Sequence, residues 1–169
     1  MMKNLFQILC GLFLVVSYSS CMHSEEDKVD VLIIGGGASG VTSGIQSARM
    51  GANTLILEES IWLGGMLTSA GVSAVDGNYR LPAGLWGEFK NRLSDYYGGL
   101  DSLKTGWVSN VLFEPSVGNK ILHEMVAAEN NLKVWKQACL EEVKRTGDEW
   151  VAKVKVEGQG VKTVRAKVM

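Results

Sequence analysis

The chain has 169 residues, 46% of them hydrophobic, and 17 basic side chains against 18 acidic ones, for a formal net charge of −1. That is enough apolar material to bury the core of one ordinary domain. The near-neutral balance leaves no electrostatic footprint for a polyanion, so nucleic acid is not expected as a partner.

Residues 1–20 read as a signal peptide. Lys3 precedes an apolar stretch from Leu5 to Val16, interrupted at Gln7 and too short for a membrane span. Ser19 and Ser20 then precede Cys21, which is similar to the cleavage region of bacterial lipoprotein signals, although Tyr18 stands where leucine is usual. On this reading Cys21 carries lipid and holds a soluble domain at a membrane surface. Ser24-Glu25-Glu26-Asp27 resembles the acidic stretch that sends lipoproteins to the cell surface in some Gram-negative lineages. The expectation is an exported cell-envelope protein, an outer-membrane or surface lipoprotein. A plain signal peptide releasing a periplasmic protein is the alternative. Residues 21–28 form an acidic tether, and residues 29–169 form the domain.

The domain opens with an apolar run, Val29 to Ile34, that predicts a strand. Gly35-Gly36-Gly37-Ala38-Ser39-Gly40 follows at once and leads into a helical pattern. Strand, glycine turn and helix in that order suit a dinucleotide pyrophosphate. Gly35 permits the tight turn, Gly37 lets the backbone approach the phosphates, and Gly40 lets the helix sit close to the strand. The first helical residues, Ala38 and Ser39 among them, offer unpaired N–H groups and a partial positive charge. Val41, Ile45 and Ala48 mark the buried helix face, and Met50-Gly51 ends it. A second run, Thr54 to Leu57, ends at Glu58, whose carboxylate is placed to accept both ribose hydroxyls of an adenosine. Pleating turns Glu59 to the opposite side.

Leu63 to Val72 is rich in glycine and small residues and can pass close to a bulky planar ligand. Leu85, Trp86, Phe89, Leu93 and Tyr96 predict an amphipathic helix over Gly84–Tyr97, stopped by Gly98-Gly99. Pro115 starts another, with Val117, Ile121, Met125 and Val126 inward, running to about Asn130. Leu132–Lys136 is a third strand. Leu140–Arg145, Glu149–Val156 and Val161–Val168 follow as an antiparallel meander, joined by two good hairpin signals, Thr146-Gly147-Asp148 and Glu157-Gly158-Gln159-Gly160. Of the three cysteines, Cys10 lies in the signal and Cys21 in the lipid site. Cys139 is left alone in an apolar pattern and is expected to be a buried small hydrophobe. His123 is expected to pack, and Glu114 and Asp76 to be structural.

From Val29 to Met169 the chain resembles the FAD-dependent oxidoreductases of the two-dinucleotide-binding-domain type. The likeness is carried by Gly35, Gly37, Gly40 and Glu58, by Leu63-Gly64-Gly65-Met66, and by the meander after the third strand. It implies an α/β fold: a partial Rossmann-like FAD-binding domain of the three-layer ββα type, its C-terminal remainder missing. It implies FAD as cofactor, with Gly64, Gly65 and Met66 lining its ribityl and ring portion and the turn near Ala138-Cys139-Leu140 meeting the adenine through backbone. A long glycine-rich insertion after Glu58 and a meander after the third strand fit an extended FAD better than NAD. In relatives the run matching Val164–Met169 continues into a parallel strand beside the pyrophosphate, so the chain looks like the N-terminal part of a longer protein. A small-molecule substrate would give a hydride to the flavin; no catalytic acid or base is identified. The competing reading is an inactive remnant, or a membrane-anchored nucleotide-binding surface protein, its parallel sheet left with an exposed hydrophobic edge.

Overall fold

The structure is a computed structural model that describes residues 26–77, 79–107 and 109–169. The signal segment, Cys21 and the first part of the tether lie outside the described residues. Six strands and three helices follow in the order β1 (Glu26–Ile34), α1 (Ala38–Arg49), β2 (Thr54–Glu58), α2 (Gly84–Tyr97), α3 (Pro115–Ala127), β3 (Leu132–Lys136), β4 (Ala138–Thr146), β5 (Glu149–Val156) and β6 (Gly160–Val168). Short 3₁₀ turns cover Gly65–Leu67 and Leu100–Leu103.

One sheet has the spatial order β3-β2-β1-β6-β5-β4. Its β3, β2, β1 and β6 are mutually parallel, and β4, β5 and β6 are antiparallel. β6 therefore has two roles, closing the meander on one side and pairing with β1 from Glu26↔Thr163 to Val31↔Val168 on the other. β6 covers β1 as far as Val31, and the apolar end of β1 at Leu32, Ile33 and Ile34 has no strand partner on that side among the described residues, with Ile34 exposed. The edge at the other end is β4, whose outer residues Glu141, Glu142, Lys144 and Arg145 are charged and exposed.

The pleat divides the core in two. Ile56 faces α1 and α3 and packs with Val41, Ile45, Ile121 and Met125. Leu32, Leu55 and Leu57 face the meander and meet Ala138, Ala152, Val154, Val156, Val164 and Ala166. Helices, parallel sheet and meander thus form the three layers that the family resemblance implies, and each fully buried aliphatic contributes roughly 1.5–3 kcal/mol. Gly44 sets the helix-to-sheet distance: a Cβ there would lie 2.6 Å from Ile56 Cδ1. Gly40 also lies close to the sheet, a Cβ there falling 3.4 Å from Ile33 Cγ2 of β1.

Three boundaries differ from the sequence pattern. β1 begins at Glu26, inside the stretch read as a tether, where Glu26 pairs with Arg165 at 2.6 Å and backbone pairing reaches Thr163. α3 ends at Ala127 rather than near Asn130. Asn131 anchors the exit instead, its Nδ2 donating to Ala48 O and Ala52 O at 2.8 Å each. β4 starts two residues early, at Ala138, because Gln137 reverses the chain in one step with φ +52°. No helix among the described residues is long and apolar enough to cross a membrane.

Candidate nucleotide site

The site lies where β1 and β2 end. Gly35 takes φ +97°, a conformation costly for any residue with a Cβ, and its N–H donates to Leu57 O at 2.8 Å. Gly40 faces the same turn, and a Cβ on it would sit 1.9 Å from Gly35 O. The third glycine of the motif thus packs the helix onto the turn itself. Gly37 is different. It caps α1 with φ −65°, which any residue can adopt, and a Cβ on it would meet nothing within 4 Å. No protein contact requires glycine there.

Ala38 and Ser39 open α1, Ser39 exposed and Ala38 half-buried. The helix start has no side-chain cap and no acidic residue in its first turn. Its leading N–H groups therefore lack intrahelical partners and point outward as an anion-binding end.

Glu58 is half-buried and already engaged. Its Oε2 accepts the Gly36 N–H at 2.7 Å, and its Oε1 accepts the Ser60 N–H at 2.8 Å. The carboxylate thereby fixes the glycine turn against the end of β2, and each oxygen keeps a further lone pair for a ligand hydroxyl. This contact also explains Gly36, for which sequence reasoning had no role. A Cβ at Gly36 would lie 2.9 Å from Glu58 Oε2 and 2.8 Å from Leu63 Cδ2.

The second glycine block is brought to the first. The Gly64 N–H donates to Gly36 O at 2.8 Å, Gly37 and Gly64 form a parallel bridge, and a Cβ on Gly65 would reach Gly37 Cα at 3.1 Å. Gly64 and Gly65 take φ +106° and +53°. Met66 follows on the surface, 68% exposed, available to cover a ligand. The block is held from behind by residues that sequence reasoning missed. Asn119 Oδ1 accepts the Leu63 N–H at 2.9 Å, and the buried Thr68 hydroxyl donates to Leu63 O. The only hint in the sequence was a short amide side chain between inward positions Val117 and Ile121 of α3.

A pocket of about 220 Å³ adjoins the turn, lined by Ile34, Gly35, Glu58, Glu59, Ala138 and Leu140. This joins the β3–β4 turn to Glu58. Cys139 is exposed, contrary to the expectation of burial, because Ala138 and Leu140 take the inward positions. Its thiol lies 3.5 Å from Glu59 Oε1, and that hydrogen bond, helped by desolvation and the carboxylate charge, raises its pKa and keeps it protonated.

The remaining ionisable candidates have structural settings. Glu114 precedes α3 and accepts the Tyr97 hydroxyl, tying α2 to α3. Burial and then this contact push the Tyr97 pKa up. His123 is half-buried, its Nε2 without a partner among the described residues, and desolvation followed by the charge of Lys136 lowers its pKa.

The profile of the family described as FAD dependent oxidoreductase matches residues 30–169. Among curated proteins, none matches at a significant level. Similar solved structures include an anhydrotetracycline hydroxylase from Streptomyces rimosus (TM-score 0.58, 13% identity, 83% of this chain and 31% of that one). A flavoprotein/dehydrogenase from Cytophaga hutchinsonii has TM-score 0.56 and 17% identity over 84% of this chain and 38% of that one. A p-nitrophenol 4-monooxygenase from Pseudomonas putida has TM-score 0.53 and 16% identity over 84% and 40%. The chain spans 40% or less of the length of these three structures.

Proposed function

Because the chain belongs to the FAD dependent oxidoreductase family, whose cofactor is FAD, we propose that it supplies the FAD-binding part of an oxidoreductase acting on a small molecule. The observation that carries this reading is the empty volume at Gly37. Every other glycine of the turn is explained by a neighbouring protein atom or a positive φ, and Gly37 is not. Glycine is required there if a pyrophosphate occupies the space a Cβ would fill.

The rest of the arrangement fits the same group. The N–H groups that open α1 at Ala38, Ser39 and Gly40 would hold the pyrophosphate. Glu58, held rigid by Gly36 and Ser60, would accept the ribose hydroxyls. The pocket beside Ala138 and Leu140 would take the adenine, and Gly64, Gly65 and Met66 would lie along the ribityl chain and ring. A bound flavin supplies hydride acceptance from the substrate and passage of the electrons to an acceptor. The protein's task is to bind, orient and screen that group from water.

The N-terminal pattern around Cys21 supports a second part of the proposal, a lipid anchor that places this domain at the cell envelope. Mass analysis of the mature N-terminus tests it; an unmodified Cys21 would remove the anchor. For the cofactor, the full chain is titrated with FAD and separately with riboflavin, which lacks the pyrophosphate and adenosine. FAD should bind about 100-fold more tightly, a difference of about 2.7 kcal/mol. Equal affinity would mean that the glycine turn and Glu58 contribute nothing, and the reading would fail.

A further inference from the structure

A second cavity lies away from the glycine turn, between α2, the 79–83 loop and the segments at 100–104 and 110–111. It measures about 390 Å³, within the roughly 300–1,000 Å³ typical of small-ligand sites, and Arg80, Lys90, Leu100, Lys104, Asn110 and Val111 line it. Lys90 is its unusual member. It stands on the second turn of α2 and is only 6% exposed. Its ammonium donates to Tyr79 O and to Leu81 O, both at 2.7 Å, which uses two of its three N–H groups.

Neither acceptor carries charge, the Trp86 ring face lies 5.8 Å from the ammonium, and among the described residues no carboxylate lies within ion-pair distance of Lys90 or of Arg80. Arg80 is exposed, its Nε donating to the Tyr79 hydroxyl at 3.1 Å while its guanidinium stacks over that ring. Lys104 is paired with Asp101 at 2.8 Å. A buried cation normally has a counter-charge, because leaving it alone in a poor dielectric is costly. Here two positive groups without one share a cavity that also has an amide from Asn110 and apolar walls from Leu100 and Val111.

We propose that this cavity binds a small organic carboxylate. The anion would accept the remaining N–H of Lys90 and the fork of Arg80, and its apolar body would rest on Leu100 and Val111. A carboxylate suits the guanidinium plane bidentately. An apolar body suits walls that would leave inorganic phosphate poorly covered. The proposal does not depend on cofactor binding, since none of these residues belongs to the glycine turn, the Glu58 pocket or the Gly64 block.

The test is calorimetric titration of the full chain with benzoate, with neutral benzamide of the same shape, and with inorganic phosphate. Benzoate should bind one to one and at least about tenfold more tightly than either control. Arg80→Gln, a surface change, should weaken benzoate about tenfold, and Lys90→Met should abolish binding. Should Lys90→Met fail to fold because the Tyr79 and Leu81 carbonyls lose their donor, Arg80→Gln decides alone. Gly37→Val should leave benzoate affinity unchanged, which separates this site from the proposed cofactor site. No benzoate binding, equal binding of benzamide or phosphate, or full affinity in Arg80→Gln would overturn the proposal.

Discussion

Adding one methyl group at two positions of the glycine turn should separate ligand binding from folding. In Gly40→Ala the new Cβ would begin 1.9 Å from Gly35 O, and about 1 Å of separation must be created against a backbone atom that cannot rotate away. Overpacking of this kind costs about 1–3 kcal/mol, with a rigid backbone partner placing it at the upper end. The better helix propensity of alanine returns roughly 0.5–1 kcal/mol. A net loss of about 2 kcal/mol corresponds to a fall of roughly 4–8 °C in Tm for a domain of this size. In Gly37→Ala the Cβ meets nothing within 4 Å and φ is already −65°. There a stiffer unfolded chain, worth about 0.4–1 kcal/mol, roughly offsets a weaker N-cap. Stability should stay within about 0.5 kcal/mol of the parent, while FAD affinity should fall at least about tenfold because the methyl occupies phosphate space. Thermal melts of the FAD-free proteins and FAD titrations of both variants provide the assay. Unaltered FAD affinity in Gly37→Ala would refute the assignment of that space to a pyrophosphate.

Glu58→Gln keeps one acceptor oxygen but turns an amide N–H₂ toward a backbone donor at Gly36 or Ser60; the loss of a charge-assisted bond should cost about 2 kcal/mol in urea unfolding, together with FAD affinity. An unchanged midpoint would show that the carboxylate does not hold the turn. His123 should titrate below its ordinary 6.5 because the fold favours neutral imidazole. Its contribution to stability is therefore full above 6.5 and is lost as pH falls through the lowered folded value. An NMR titration of its ring protons with a midpoint at or above 6.5 would contradict the burial of Nε2. Cys139, though exposed, should react slowly with iodoacetamide near neutral pH, and Glu59→Gln should speed it severalfold by releasing the thiol. Equal rates in the two proteins would dismiss Glu59 as the cause.

What could be read without a structure was local. The Gly35–Gly40 turn follows a strand and starts a helix because φ, capping and the 3.6-residue period act within a few positions; α2, β3 and β5 were delimited to the residue for the same reason. The carboxylate at Glu58 was legible from its spacing to that turn, and a meander appended to a parallel sheet from the order of patterns; the three-layer class came from the family resemblance. Tertiary structure alone decided how those pieces hold one another. It placed β6 beside β1, drew Glu26 into the sheet, and turned Cys139 outward by seating Ala138 and Leu140 inside. It also joined the two glycine blocks through Gly36 and Gly64, propped the second on Asn119, and left Lys90 buried against two carbonyls and the Trp86 ring, with no carboxylate partner among the described residues. Those contacts link residues far apart in the chain, where no periodicity records a partner, and they form because buried polar groups must be satisfied wherever the packed core brings them.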